Sequence, residues 1–564
     1  MFNDPLSFFI KVYFERIFVT NFRQLPRFSL FTLAVLSLSF HLFGGQSSSF
    51  NIDNNSSNSV GEVNTDSNIT FKVTSFKFKG LKAFRPKVLQ KSLSEFVGLP
   101  LQFDDLSRII SSLEEFYKDK GKIVSVKIPP QDITVGKLIV HLTEARVGQI
   151  LIDANGSSNV RHSKIKASVE SYSPKGKIYD ASAMNRGMLL ADDLPGVSLT
   201  GFLQSGDRED EVDLVLKTAK EPPYTADLVV DNAHARSLGT YRATLAASLV
   251  SPFQFAETIG LQTLKSEGSN YGRFSLGAPL GSRGWRLNLY GSKLAYKVVT
   301  GEAAALNIQG DVEEAGFSLR YPIIRNQRGN LYKDYQYDHR VYLSSVFSSV
   351  TKHYSIDSIS MNLSGNIFDK IWGGGANTIS IGISHGSVND NEGAEPVNEG
   401  QHTLINYSAS RQQTISEKLS LFLSISGQIT QDVSTSSIHP EITDGFLDSA
   451  ESFTLGGLSG VRAYPSGEAS GSVGRLMTAE LRYLLGNDIM AKGFYDWGWV
   501  GKRDPISDLS EYELSGAGLN LAWSAPLGFT FQGTYARRIG NNPNPSPAGM
   551  DQDGSLEEDR FWLV

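Results

Sequence analysis

Two periodicities divide the chain. Between residues 69 and 217 the apolar positions switch between a spacing of two and a spacing of three and four, whereas beyond Lys220 only the two-residue alternation persists. The run Phe71-Lys72-Val73-Thr74-Ser75-Phe76-Lys77-Phe78, ahead of Gly80, predicts one strand with a single buried face. Residues 86–96 predict a helix. In a second helix Leu106, Ile109, Ile110, Leu113, Phe116 and Tyr117 fall on one face, with Asp104 expected as its cap and Gly121 closing it. Strands at 122–128 and 137–143 follow, parted by Pro129-Pro130, which cannot donate to a ladder. The order β-α-α-β-β then recurs: a strand at 147–152, helices at 160–172 and 179–190, and paired strands at 197–204 and 211–217 around Ser205-Gly206-Asp207. Two copies of one small α+β module are expected.

The remainder is predicted to be all-β. Sixteen strand-like segments start near Tyr224, Thr240, Thr258, Asn270, Trp285, Asp311, Asp338, Ser358, Asn377, His402, Lys418, Gly474, Ala491, Glu513, Phe529 and Asp559. Alternation is clearest at Leu419, Leu421, Leu423 and Ile425, at Ile379, Ile381 and Ile383, and at Leu519, Leu521 and Trp523. Most segments are expected to run about 8 to 12 residues, enough to cross a bilayer at a tilt. An even count, joined by connections as short as 485–490 and 524–528 and one as long as 429–473, predicts a 16-stranded antiparallel transmembrane β-barrel.

Bulk composition fits that reading. A mean hydropathy of -0.18 is ordinary, as it must be when lipid-facing and lumen-facing residues alternate. Gly 53, Phe 32 and Tyr 21 against Met 7 suits strands and turns better than a helical bundle. The net charge of -6 is spread without long blocks and gives no support to nucleic-acid binding. With no cysteine, disulfides, thiolate metal sites and cysteine nucleophiles are excluded. Arg23 and Arg27 precede an apolar run over 28–43, shorter than the roughly 20 residues of a spanning helix. Residues 1–46 therefore read as a signal peptide, and 47–68, rich in Ser, Asn and Asp, as a flexible linker. No G-x-S-x-G, H-E-x-x-H or P-loop occurs, and the pairs Asp192-Asp193 and Glu557-Glu558 read as solvated or capping carboxylates. Neither enzymatic activity, nor a cofactor, nor a bound metal is expected.

Two motifs in the modules carry a resemblance. Ile128-Pro129-Pro130-Gln131-Asp132-Ile133 with Gly136, and Leu189-Leu190-Ala191-Asp192-Asp193-Leu194-Pro195-Gly196-Val197, are similar to the signatures of paired POTRA domains in two-partner secretion transporters. Those transporters are the outer-membrane exporters of haemolysins and filamentous adhesins. In the long connection, Phe453-Thr454-Leu455-Gly456-Gly457-Leu458-Ser459-Gly460-Val461-Arg462-Ala463-Tyr464 leads to a Gly-rich return over 467–474 and a strand containing Ala479-Glu480-Leu481-Arg482. It resembles the sixth extracellular loop of the same family, whose tip reads V-R-G-Y, and it falls between the eleventh and twelfth strands, as in the family. Phe494-Tyr495-Asp496-Trp497-Gly498 resembles the family's F-x-D-x-G strand.

The resemblance implies POTRA domains at 69–145 and 146–219, in the periplasm, and an outer-membrane barrel at 220–564. It implies export of an unfolded partner exoprotein, recognised by the modules and passed through a single-chain barrel in outer-membrane lipid. The physical route for recognition is addition of an extended peptide to an open sheet edge. An outer-membrane insertase, which shares these parts, is the alternative. The resemblance further implies that the loop folds into the barrel and latches there through Arg462 and Asp496, with Gly456, Gly457, Tyr464, Phe494 and Gly498 around them. Pro129, Pro130, Gln131, Asp193, Leu194, Pro195 and Gly196 are the corresponding module motifs. The chain departs from the pattern in four places. Ala463 replaces a glycine at the loop tip, His234 follows Asp231-Asn232-Ala233 where glycine is expected and reads as a surface residue, the end Arg560-Phe561-Trp562-Leu563-Val564 is not aromatic at its last position, and 47–68 show no amphipathic plug helix.

Overall fold

The computed structural model describes residues 70–564 apart from 154, 392–398, 436–446, 503–509, 544 and 547. The readings of 1–46 as a signal peptide and of 47–68 as a linker without a plug helix lie outside the described residues. The first module runs β1 (Phe71–Lys72), β2 (Ser75–Lys79), α1 (Pro86–Ser92), β3 (Pro100–Leu101), α2 (Phe103–Asp119), β4 (Val124–Lys127) and β5 (Lys137–Glu144). Its sheet has the order β2-β5-β4, parallel between β2 and β5 and antiparallel between β5 and β4, while β1 pairs separately with β3. Against these sheets α2 buries Ile109, Leu113 and Tyr117 completely, the apolar stripe of its 3.6-residue period.

Two local expectations change. The single strand predicted over 71–78 is broken, because Thr74 turns its N–H and its hydroxyl onto the Gly136 carbonyl, at 2.7 and 2.9 Å, instead of joining the ladder. The cap of α2 is Gln102 rather than Asp104: the Gln102 N–H donates to Asp105 Oδ2 at 2.8 Å in a capping box, which leaves Asp104 inside the first turn.

The second module repeats the first. It comprises β6 (Arg146–Ile152), α3 (His162–Glu170), α4 (Ala181–Asp192), β7 (Val197–Ser205) and β8 (Glu211–Lys220). The sheet order β6-β8-β7, again parallel then antiparallel, matches β2-β5-β4 strand for strand. Its core joins Ile165 and Val169 of α3, Met184 of α4, and Leu214 and Leu216 of β8.

Residues 221–223 connect this module to a single 16-stranded sheet. Its strands are β9 (Tyr224–Asp231), β10 (Arg242–Val250), β11 (Thr258–Ser266), β12 (Ser269–Leu280), β13 (Trp285–Lys297), β14 (Gln309–Arg325), β15 (Gly329–Val346) and β16 (Ser349–Asp369). They continue as β17 (Gly375–Asp390), β18 (Gly400–Thr414) and β19 (Leu419–Thr435). After a small hairpin of β20 (Phe453–Leu455) and β21 (Ala469–Gly471), the wall resumes with β22 (Val473–Leu485), β23 (Ile489–Lys502), β24 (Ser510–Ser524), β25 (Thr530–Arg538) and β26 (Asp559–Leu563). Every neighbour is antiparallel, and β19 pairs with β22 across the long loop. The alternating residues Ile379, Ile381, Ile383, Leu519, Leu521 and Trp523 stand exposed on the outside, where lipid would cover them. Among the described residues no helix is long and apolar enough to cross a membrane; the crossing is made by strands.

Strand lengths depart from the expected 8 to 12. Strand β9 has 8 residues, but β14 has 17, β16 has 21 and β19 has 17, so that β19 carries through 429–435, which the sequence assigns to the loop. The outer face of β16 explains the excess. Ile367, Met361 and Ile359 form its exposed apolar band, and beyond it Asp357 takes hydrogen bonds from Tyr337 at 2.8 Å and pairs with His339 at 2.9 Å. The ladder therefore continues past the hydrocarbon into water, where apolar alternation is no longer required.

The first and last strands, β9 and β26, form no ladder with each other; Asn232 joins them. Its N–H donates to the Leu563 carbonyl at 3.3 Å, its side-chain Nδ2 to the Phe561 carbonyl at 2.9 Å, and its Oδ1 accepts from the Leu563 N–H at 2.7 Å. Next to it Arg242 Nε donates to both oxygens of the buried Asp231, at 2.9 and 3.0 Å. His234 is not a surface residue: its ring is buried with Nε2 3.2 Å from the Ser269 hydroxyl, since the loop after Asn232 folds back over the start of β12. Asn232→Ala removes two of the three seam hydrogen bonds and is expected to weaken the barrel by about 1–3 kcal/mol. Heat-modifiability electrophoresis should show a lower unfolding temperature; an unchanged midpoint would mean the seam is held by other groups.

Candidate functional site

The loop between β19 and β22 returns into the barrel as the β20–β21 hairpin, in register Phe453↔Gly471 and Leu455↔Ala469. Gly456 and Gly457, at φ +89 and +80, make the tight turn that follows β20. A Cβ on Gly457 would lie 2.5 Å from the Ser466 hydroxyl, and one on Gly456 would run into the Pro465 carbonyl, so both positions require glycine. Ala463 at the tip is not in the left-handed region, and its methyl packs completely buried against Gly516; the glycine of the family motif is not needed for this backbone.

Period two on the wall places the receiving groups. In the β22–β23 register Thr478 faces Asp496 and Glu480 faces Phe494, and all four point inward together with Gly498. Arg462 lies between them. Its Nε and Nη2 donate to the two oxygens of Asp496, each at 2.7 Å, its Nη1 donates to Glu480 at 2.8 Å, and its backbone N–H reaches Asp496 at 3.2 Å. The guanidinium plane rests 3.5 Å from the centre of the Phe494 ring. Thr478 donates to Asp496 at 3.0 Å, and Glu480 pairs also with Arg482 at 2.7 Å, so two carboxylates meet two guanidiniums. Asp496 is wholly buried, and the forked, charge-assisted geometry gives both of its oxygens a partner.

The tip is sealed on its other sides. Trp562 of β26 donates to the Arg462 carbonyl at 2.8 Å, and Tyr464, fully buried, lies under Arg538 at 4.9 Å from the ring centre. Gly498 leaves room for the loop: a Cβ there would stand 2.6 Å from Leu455 and 3.1 Å from Val461. On the return limb the buried Glu468 accepts from Asn542 and from the Gln552 N–H, tying the loop to the final outer loop, and burial pushes its carboxyl up to about 7. The structure thus brings Arg462, Tyr464, Asp496, Phe494, Gly498, Gly456 and Gly457 into one cluster. Sequence reasoning missed Glu480, Thr478 and Trp562. For Glu480 and Thr478 the available sign was the period-two spacing that sets them on the same face.

The module motifs lie elsewhere. Gln131 closes the loop after Pro129-Pro130, its Oε1 accepting from the Ile139 N–H at 2.7 Å and its Nε2 donating to the Pro129 and Ile139 carbonyls at 3.1 and 2.8 Å. Asp192 and Asp193 are half-buried, and Asp193 is the C-cap of α4, in line with the capping alternative; both carboxylates are also engaged. Asp192 accepts from the Leu199 N–H at 2.9 Å, and Asp193 receives a two-pronged bond, at 2.9 and 3.0 Å, from Arg325 at the inner end of β14. Leu194 and Pro195 are buried, and Gly196, at φ +98, leaves no room for a Cβ, which would sit 2.9 Å from that of Ser251 in the β10–β11 turn. The Asp-Leu-Pro-Gly turn is thus the joint between second module and barrel.

The chain matches the model of the family described as haemolysin secretion/activation protein ShlB/FhaC/HecB over residues 210–523, and that of the ShlB-type POTRA domain over 71–145. A relative from Haemophilus influenzae (strain 86-028NP), the heme/hemopexin transporter protein HuxB, is 24% identical over 495 residues, covering 84% of this chain and 82% of its own. CdiB from Escherichia coli has a similar fold, with a TM-score of 0.72 and 18% identity over 100% of this chain and 99% of its own. CdiB from Acinetobacter baumannii follows at a TM-score of 0.63 and 16% identity, over 100% and 98%.

Gly498→Ala places a methyl where Leu455 and Val461 sit, and overpacking of this kind costs about 1–3 kcal/mol. The expected outcome is a loop held less firmly, read as faster maleimide labelling of a cysteine introduced at Ala463, with the barrel still heat-modifiable. Equal labelling in the parent and Gly498→Ala proteins would show that this contact does not hold the loop.

Proposed function

The chain belongs to the haemolysin secretion/activation protein family, and from that premise we propose how its parts divide the work of exporting a partner exoprotein across the outer membrane. The barrel is the conduit, with the modules in the periplasm in front of it. Residues 69–145 and 146–219 act as two POTRA domains that take up the unfolded chain, and 220–564 act as one single-chain barrel in outer-membrane lipid. The sheet edges at β4 and β7 offer unpaired main-chain groups to an extended peptide, a mode that needs no side-chain code. The exported chain is of the haemolysin or adhesin type. Export rather than membrane-protein insertion is favoured by the family match and by two modules of one topology.

The single observation that carries the reading is the loop bound inside the barrel by Arg462. We assign Arg462 and Asp496 as a latch that keeps the loop across the pore at rest, with Glu480 as its second acceptor. Support comes from the buried geometry, because removing one partner of such a pair leaves an uncompensated charge and costs about 3–5 kcal/mol. Gly456 and Gly457 shape the turn that delivers the arginine, Tyr464 fills the space beside it, and Phe494 gives it a flat surface.

Two experiments test this. Deleting the gene should remove one large surface protein and leave general barrel assembly intact; a global assembly defect would favour an insertase. Arg462→Asp and Asp496→Arg should each lower secretion, and the double exchange should recover part of it. No recovery, with unchanged loop accessibility in all three proteins, would dismiss the latch.

A further inference from the structure

The loop is held a second time, at its base. Residues 447–451 lie on the inner face of the β15–β19 wall, and the strand that carries Tyr354 is five strands away from the one that carries Asp496. Glu451, in the short helical turn Ser449–Glu451, pairs with Arg340 of β15 at 2.5 Å, and both side chains are largely buried. Gln428 of β19 donates to the Glu451 carbonyl at 2.9 Å, and Tyr354 of β16 donates to Asp448 at 3.2 Å. Ala450 packs into an apolar cluster with Tyr342, Tyr354, Ile356 and Val388. The buried ring of His402 lies 4.0 Å from Glu451, in space left by Gly386, where a Cβ would come within 2.5 Å of that ring.

We propose that Glu451 and Arg340 form a second, weaker clasp on the base of the loop, and that the pore opens by release of this clasp while Arg462 stays seated. The inference rests on the reading of the loop as the gate of the pore. The two holds differ in kind. At the tip, one arginine engages two buried carboxylates through three side-chain hydrogen bonds and one from its backbone, so withdrawal would strip Asp496 of its only guanidinium given above and leave Glu480 with Arg482 alone. At the base, a single carboxylate leaves a single arginine, and the remaining polar contacts given above are neutral donors to a carbonyl and to a carboxylate. The base therefore opens first. Its departure uncovers Arg340 beside Tyr342, Tyr354, Ile356 and Val388, an aromatic and cationic strip along the path of the exported chain.

The native chain has no cysteine, so a single introduced thiol reports without background. In the full-length protein, cysteines at Ala450 and at Ala463 are labelled separately with a membrane-impermeant maleimide, with and without Glu451→Gln, and conductance is measured in planar bilayers. Glu451→Gln keeps the shape and removes the charge. It is expected to raise labelling at 450 and the open fraction of the pore by about tenfold, the scale of one lost charge-assisted hydrogen bond, while 463 stays protected. The exchange Arg340→Glu with Glu451→Arg should restore both. Should Glu451→Gln fail to assemble, Tyr354→Phe should give a smaller change of the same sign. The clasp is overturned if 450 stays buried, if 463 becomes exposed together with it, or if the charge exchange restores nothing. Labelling at 450 without any rise in conductance would instead strike down the loop as the gate.

Discussion

Hydrocarbon offers a peptide group nothing to bond to, and the rest of this molecule follows from that constraint. Each strand from β9 to β26 must find partners on both sides, which forces a sheet rolled toward closure and leaves β9 and β26 as the place where the ladder is replaced by one asparagine. The same constraint fixes an apolar residue outside at every second position and frees the others. The freed positions face a lumen, and there charges can be collected that no lipid-facing position would tolerate. Asp496, Glu480, Arg482 and Arg340 are all such positions.

Charges collected in a confined lumen must then be matched. The wall alone provides two close acids in β22 and β23, and the loop brings the cation that completes them. Loop and barrel are thus parts of one electrostatic unit although they are far apart in sequence. This also accounts for the tolerance of Ala463: what the site demands of the tip is the placement of a guanidinium, and the backbone there achieves it without a left-handed residue.

How much of this was readable in advance depended on how directly lipid or core imposed a period. The starts of fourteen of the sixteen strands were legible to within three residues because lipid on one side and water on the other write a two-residue pattern, and α2 was legible because its stripe is buried by a sheet; β15 and β16 instead begin at Gly329 and Ser349, nine residues ahead of the expected Asp338 and Ser358. Strand lengths were not, since β14 to β19 continue where both faces meet water and no alternation is enforced. Nor was the break at Thr74, which depends on a carbonyl 62 residues away, or the true cap of α2. Arg462 and Asp496 stood out through motifs, whereas Glu451 and Arg340 are a lone acid in a loop and a lone base in a strand. Nothing in one dimension joins them.

The joint at Asp193 has a mechanical side. Arg325, which it grips, begins the turn from β14 into β15, and β15 carries Arg340 on the same continuous strand. A hydrogen-bonded hairpin is stiff along its length, so this one is a strut with its lower end fastened to the second module and its upper part against the base of the loop. One hairpin thereby touches both the Asp-Leu-Pro-Gly turn of the second module and the base of the inward loop, two places more than a hundred residues apart in sequence.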